Sequence, residues 1–249
     1  MTARRAEQIA QVYDEKESAR CDMRNANDIT AALDEHGFAI LPELVNTASR
    51  AELHALYDDD TRFRSTINMA RYGFGLGEYR YFCYPLPTQV QVLRENLYRM
   101  LAPLANCWAE RLNDAIRFPD THVEYVAHCH AASQPRPTPL LLRYRSGDYN
   151  CLHQDIYGPC AFPFQVICLL SEPGRDFAGG ELILVEQRPR RQSRASVLPL
   201  RAGDGVVIAT NHVPRRGTRG YYRATLKHGV STVTCGERFT LGVIFHDAS

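Results

Sequence analysis

From Thr138 onward the chain is a succession of short β-type runs divided by glycine-rich turns, and this pattern constrains the fold more than any other. Leu140–Tyr144 reads as a strand, Gly147-Asp148 as a turn, and Tyr149–Asp155 as resumed extended chain. Phe162–Leu170, Glu181–Glu186, Ser196–Leu200, Val206–Ala209, Arg223–Val230 and Arg238–Phe245 follow, with turns at Phe177–Gly180 and Gly203–Gly205. Short strands at even spacing predict a jelly roll or barrel, in which strands far apart in sequence return side by side.

The preceding part is helical in texture. Ile29, Ala32 and Leu33 recur at helical spacing up to Gly37, a glycine placed to stop a helix, and Phe38–Leu41 then forms a short strand. Ser49-Arg50-Ala51-Glu52 reads as a capping box opening a helix that carries Leu53, Leu56 and Tyr57 on one face. Val90, Leu93, Leu97, Leu101, Leu104, Trp108 and Leu112 repeat at three- and four-residue steps, the signature of a helix laid on a sheet. Phe118–Ala132 reads as another helix, broken by Gln134–Pro137. Thr61–Pro87 has no clean period and is rich in Arg, Tyr and Phe, so it is expected to be a long irregular loop, a lid candidate. The expected fold is mainly β with helices: a jelly-roll core at 138–249 and N-terminal helices packed on one sheet. Residues 27–137 would form the helical support and lid region, 27–249 one domain, and 1–26 an N-terminal arm or helix.

Bulk composition excludes some classes. The 249 residues carry a net charge of +1, so the chain is no polycation, and no stretch approaches the roughly 20 apolar residues of a bilayer span. Met1–Ala10 is polar, without the apolar core of a secretory signal. The eight cysteines include no CxxC pair and are expected to be reduced, mostly small buried residues of a cytoplasmic protein.

The chemistry lies in a spaced set. His153 and Asp155 are two apart, so in extended chain they share a face. His228 ends a later run, and two imidazoles with one carboxylate occupy one face of an octahedral Fe(II), leaving positions open. Arg238 follows after an expected turn at Thr234–Glu237, which would place it on the adjacent antiparallel strand. Its guanidinium would fork onto the carboxylate of an organic acid, 2-oxoglutarate for preference. Thr240, on the same strand face, adds a hydroxyl, and Tyr144 offers a phenol. HxD alone is a common accident; HxD, Gly-Gly, His and Arg-x-Thr in this order is far rarer.

Other candidates have blander readings. His122, His128 and His130 with Cys129 read as surface or capping residues, and His246-Asp247 as a tail beyond the last strand. Cys151 could line the site or simply pack. His212 is a candidate second-layer or substrate group. Arg188, Arg190, Arg191 and Arg194 cluster in one loop, and Arg215, Arg216, Arg219 and Arg223 near another beside Tyr221 and Tyr222. Such loops suit a nucleic acid or another polyanion. The β domain could also be a cupin-like module that binds a metal or small acid without turnover.

The stretches Leu142–Tyr144 through His153-Gln154-Asp155, Asp176–Leu182, His228-Gly229-Val230 and Gly236–Leu241 resemble the Fe(II)/2-oxoglutarate-dependent dioxygenase superfamily, in particular its prolyl-4-hydroxylase-like group. Leu33–Pro42 resembles the helix–strand entry of the same superfamily, and the whole chain looks like a bacterial family within it. The resemblance implies a double-stranded β-helix with iron on His153, Asp155 and His228, and 2-oxoglutarate on Arg238 with Thr240 and Tyr144. It implies O2 as oxidant, ascorbate as a reductant, and hydroxylation or oxidative demethylation with release of succinate and CO2. Asp155 matters, because related halogenases carry a small residue there. The prime substrate would be a small molecule or a protein side chain, with nucleic acid as the alternative. Arg143–Asp155 is also similar to the alkylated-base demethylases. Those place the co-substrate arginine further on and carry additional arginines on the final strand, whereas Leu241–His246 has none.

Overall fold

A computed structural model of the protein describes residues 26–249 apart from Tyr157, so the reading of residues 1–25 lies outside the described residues. Helix α1 (Ala26–His36) buries Ile29 and Leu33 and stops at Gly37, whose φ of +80° is a left-handed conformation that favours glycine. Strand β1 (Phe38–Leu41) follows as expected. Helix α2 (Thr47–Ala55) starts earlier than the Ser49 box predicts: Asn46 is its N-cap and accepts a hydrogen bond from the Ser49 amide. The short polar side chain that reaches the free N–H groups sets the boundary.

The Thr61–Pro87 segment is not the irregular loop expected. It contains β2 (Phe63–Asn68), β3 (Gly75–Leu76) and β4 (Glu78–Phe82), and β2 pairs with β4 as a hairpin. Its arginines hide the strand period because they cover rings: Arg64 lies 4.4 Å over Tyr81 and Arg80 4.5 Å over Phe63. Helix α3 (Thr88–Arg111) carries the expected stripe, with Trp108 against Phe164 at 4.6 Å between ring centroids. Helix α4 (His122–Ala131) is shorter than Phe118–Ala132, because Thr121 caps its first turn and Phe118 is buried ahead of it.

The remaining strands are β5 (Leu140–Arg145), β6 (Tyr149–His153), β7 (Phe164–Leu169), β8 (Phe177–Gly179), β9 (Leu182–Gln187), β10 (Arg194–Leu198), β11 (Gly205–Ala209), β12 (His212–Gly217), β13 (Gly220–Val230) and β14 (Val233–Ile244). The larger sheet runs β1-β11-β7-β14-β5-β4-β2, with β8 paired to β14; the smaller runs β10-β9-β13-β6-β3, with β12 paired to β13. The helices reach the larger sheet through α3, whose buried Arg94 donates to the Ile244 and Phe245 carbonyls. The architecture is the expected two-sheet jelly roll.

Two expectations about the C-terminal strands are corrected. His228 on β13 and Arg238 on β14 are not on paired neighbours but in opposite sheets. The predicted turn at Thr234–Glu237 is a bulge inside β14, where pairing with β8 shifts register and Gly236 takes φ +78°. Any Cβ at Gly236 would lie 2.0 Å from the Asp176 carbonyl oxygen, so a glycine is required there. His246 and Asp247 are no tail. Asp247 is fully buried, accepting from Arg94 at 2.8 Å and Tyr84 at 2.8 Å and pairing with His130 at 2.8 Å. His122, read as a surface or capping residue, is buried against the Phe245 carbonyl. Among the described residues no helix is long and apolar enough to cross a membrane.

Candidate active site

The jelly roll encloses a cavity of about 200 Å³ between the inner faces of its sheets. Strand pairing explains who lines it. On the larger sheet Arg238 sits opposite Tyr144 and Thr240 opposite Leu142, so alternate residues of β5 and β14 share the inward face. On the smaller sheet His228 is the register partner of both His153 and Leu184.

His153, Asp155 and His228 converge from the smaller sheet and the turn that follows β6. Their ligand atoms all lie within 4.8 Å of one another. Asp155 stands 3.5 Å from His153 Nε2 through one carboxylate oxygen and 3.2 Å from His228 Nε2 through the other. The His153 Nδ1–H donates to the Cys151 carbonyl at 2.8 Å, which leaves Nε2 facing the centre. Burial opposes ionisation of Asp155, but hydrogen bonds from both histidines hold its carboxyl well below the usual range. Burial also disfavours a charged His153, yet Asp155 raises its pKa; at the more enclosed His228 burial wins and the pKa falls. An anionic carboxylate beside two imidazoles, one almost sealed from water, is the chemistry of a divalent metal site. Two nitrogen donors and one oxygen donor fit Fe(II) with positions left over.

Arg238 lies across the cavity and is only 2% exposed. Its Nε has no hydrogen-bond partner, and no carboxylate pairs with its guanidinium, among the described residues. Its neighbours are the rings of Tyr144 at 5.7 Å and Phe177 at 5.9 Å. Burial draws its pKa down to about 10, still cationic at neutral pH. A buried cation with no carboxylate in contact is costly, several kcal/mol once relaxed, and an anion entering the cavity would offset that cost. Thr240 and Tyr144 line the same cavity as expected, and Tyr144 accepts a hydrogen bond from Asn150 at 3.3 Å.

Some participants gave no sequence signal. Gln165, buried in β7, places its side-chain nitrogen 3.2 Å from His228 Nε2; a lone Gln in an apolar strand was the only available hint. Gly180 makes room for the arginine: a Cβ there would meet Val233 Cγ2 at 2.8 Å and Arg238 Cδ at 3.0 Å. Phe74 lines the cavity from the hairpin region. Cys151 is exposed and does not line the cavity; the seven cysteines among the described residues are free, with Cys129 and Cys168 buried and Cys151 and Cys235 exposed.

A sequence model of an oxygenase family, described as catalysing oxidative methylation of damaged DNA, matches residues 77–248. The chain belongs to this oxygenase family. An uncharacterized protein of Mycobacterium tuberculosis is 45% identical to the oxygenase over 165 residues, 66% of this chain and 71% of that one. Among solved structures, a Pseudomonas putida prolyl-4-hydroxylase superposes with a TM-score of 0.52 at 13% identity, covering 90% of this chain and 100% of that one. A 2OG-Fe(II) oxygenase family oxidoreductase from Burkholderia pseudomallei gives 0.51 at 17% identity, covering 92% and 95%. At these identities the likeness is one of fold.

Proposed function

We propose that His153, Asp155 and His228 hold Fe(II), that Arg238 with Thr240 and Tyr144 holds 2-oxoglutarate, and that the oxygenase acts on N-methylated nucleic acid. One observation carries the cofactor assignment: a three-residue donor set and a buried guanidinium without an anion face the same small cavity. Iron bound there would supply O2 activation coupled to decarboxylation of 2-oxoglutarate to succinate and CO2, placing one oxygen atom in a substrate C–H bond.

The chain's own residues do the rest. The Cys151 carbonyl fixes the His153 tautomer, and Asp155 brings one negative charge to the metal face. Leu140, Leu142, Ile167 and Ile244 keep the cavity dry, which strengthens the pull of Arg238 on a carboxylate. At the rim, Tyr72 and Phe74 are 60% and 46% exposed yet stacked, with centroids 5.5 Å apart and planes 19° apart. Their loop is pinned beside the metal strand, since the Cys151 amide donates to the Phe74 carbonyl at 2.9 Å. Rigid, exposed ring faces at a cavity mouth suit a nucleobase, and this supports the substrate named in the family description. Oxygen insertion into a C–H bond of an N–CH3 group gives N–CH2OH, which expels formaldehyde and restores N–H, so the expected direction is methyl removal.

The test is an anaerobic titration of metal-free protein with Fe(II) and 2-oxoglutarate, followed in the visible for a metal-to-ligand charge-transfer band. A band absent from Asp155→Ala, with succinate and formaldehyde formed on a methylated single-stranded oligonucleotide, supports the assignment. Iron bound without a band would overturn the co-substrate site. A band with no succinate on any substrate would make the fold a binding module.

A further inference from the structure

Beside the catalytic cavity, at the end where β6 runs out, lies a second cleft of about 160 Å³. Its walls are largely apolar, formed by Trp108, Leu112, Ile116, Phe118, Ile156 and Phe162, and its polar edge holds Asn211, His212 and Arg223, the last paired there with the Asp114 carboxylate. Ile156 follows Asp155 directly. Gln154, which lines the catalytic cavity, donates to the Asn211 side-chain oxygen at 2.6 Å, so one residue pair divides cleft from cavity. His212 Nδ1 is buried with no hydrogen-bond partner among the described residues.

Charge is concentrated at the same end. Between Glu186 and Lys227 the sequence holds ten basic residues and two acidic ones, in a chain whose net charge is only +1. Three of those arginines are committed: Arg188 and Arg215 share Glu186, and Arg223 pairs with Asp114 at 3.3 Å. Arg190, Arg191, Arg194, Arg216 and Arg219 are exposed and have no carboxylate partner among the described residues. Arg216 and Tyr221 face each other across the β12–β13 hairpin, and Arg219 sits in its turn between Gly217 and Gly220. On the outer face Arg223 continues this line back to the cleft, because alternate residues of a strand share a side.

We propose that the cleft is a subsite for the nucleotide flanking the target base of a single-stranded nucleic acid. The apolar walls take the base, His212 and Asn211 its polar edge, and the hairpin arginines the phosphates that lead away from the mouth. Flat apolar walls with a polar edge match a base unstacked from its neighbours, and a partner strand would keep that base paired, so a duplex is excluded from the cleft. The inference rests on the nucleic-acid reading above and deepens it.

The experiment is equilibrium anisotropy with a fluorescein-labelled oligothymidylate of about 16 nucleotides, over a series of salt concentrations, with its duplex as comparison. Ile116→Glu puts a negative charge in the cleft at a half-exposed position, and Arg216→Gln/Arg219→Gln removes two exposed cations; neither asks a buried residue to repack. Each is expected to weaken single-strand binding about tenfold, and the double variant to flatten the log–log salt slope by about 0.7 per arginine. Arg145→Gln, on the β5–β6 hairpin away from the cleft, should bind as the parent does. Parent-like affinity and slope in both cleft variants, or equal affinity for the duplex, would overturn the subsite while leaving the nucleic-acid reading intact. A parent that neither binds the strand at low salt nor forms succinate on methylated oligonucleotide would remove that reading as well.

Discussion

Arg238 owes its position to a neighbour with no side chain. Gly180 has φ +63° and passes so close to the Arg238 stem that a methyl group would displace it. Gly180→Ala should therefore cost about 1–3 kcal/mol of stability, from backbone strain alone, and also weaken 2-oxoglutarate binding. Arg238→Ala should lower 2-oxoglutarate affinity about 10²-fold or more, the usual loss when one partner of a buried charge pair is removed, while iron binding survives. Calorimetry under anaerobic conditions reads both. At this scale much of the site was legible: HxD, the later His and Arg-x-Thr are residue types whose spacing already states a geometry. Gln165 was not legible, because one polar residue in a strand says nothing about what faces it.

The clasp between α3, α4 and the C-terminal residues controls how the elements respond to acid. His122 and His246 are buried neutral, burial pushing both imidazoles from 6.5 down to about 4. In that window the unfolded chain binds protons that the folded one refuses, so stability falls as pH drops from about 6.5 toward 4. Burial opposes ionisation of Asp247, but the Arg94 charge holds its carboxyl below the usual value; its contribution is present above the unfolded carboxylate pKa and lost as acid protonates the folded group. Urea unfolding as a function of pH should show a slope between pH 4 and 6.5 that is reduced in His122→Phe. Asp247→Asn should cost about 3–5 kcal/mol at neutral pH, as when one member of a buried ion pair is removed. None of this was visible in the sequence. A His-Asp pair after a strand resembles a tail, and an arginine within a helical stripe resembles a solvated one, until the fold closes over Arg94. The β2–β4 hairpin was lost for a related reason: cation–ring stacking made both faces of its strands half-buried and erased the alternation.

For the whole molecule, the binding of metal and co-substrate is also a folding free energy. Mn(II), a redox-silent stand-in, together with 2-oxoglutarate at about 100 times its Kd should add about 2.7 kcal/mol. That corresponds to a Tm rise of roughly 5–10 °C for a chain of this size, read by scanning fluorimetry and absent in Asp155→Ala. The two-sheet architecture followed from strand spacing and glycine turns, but the allocation of strands to sheets did not. β14 leaves β13 to pair with β8, β5 and β7, with a register shift between Val233 and Cys235, and no local window contains those contacts. This separation makes the protein a caliper. The proposed metal donors hang from one jaw and the guanidinium from the other, and the gap is set by the packing of two sheets rather than by the reach of a flexible side chain. A caliper selects by length. Oxaloacetate has the same two end groups as 2-oxoglutarate on a chain one carbon shorter, and it should leave the Tm close to that with Mn(II) alone.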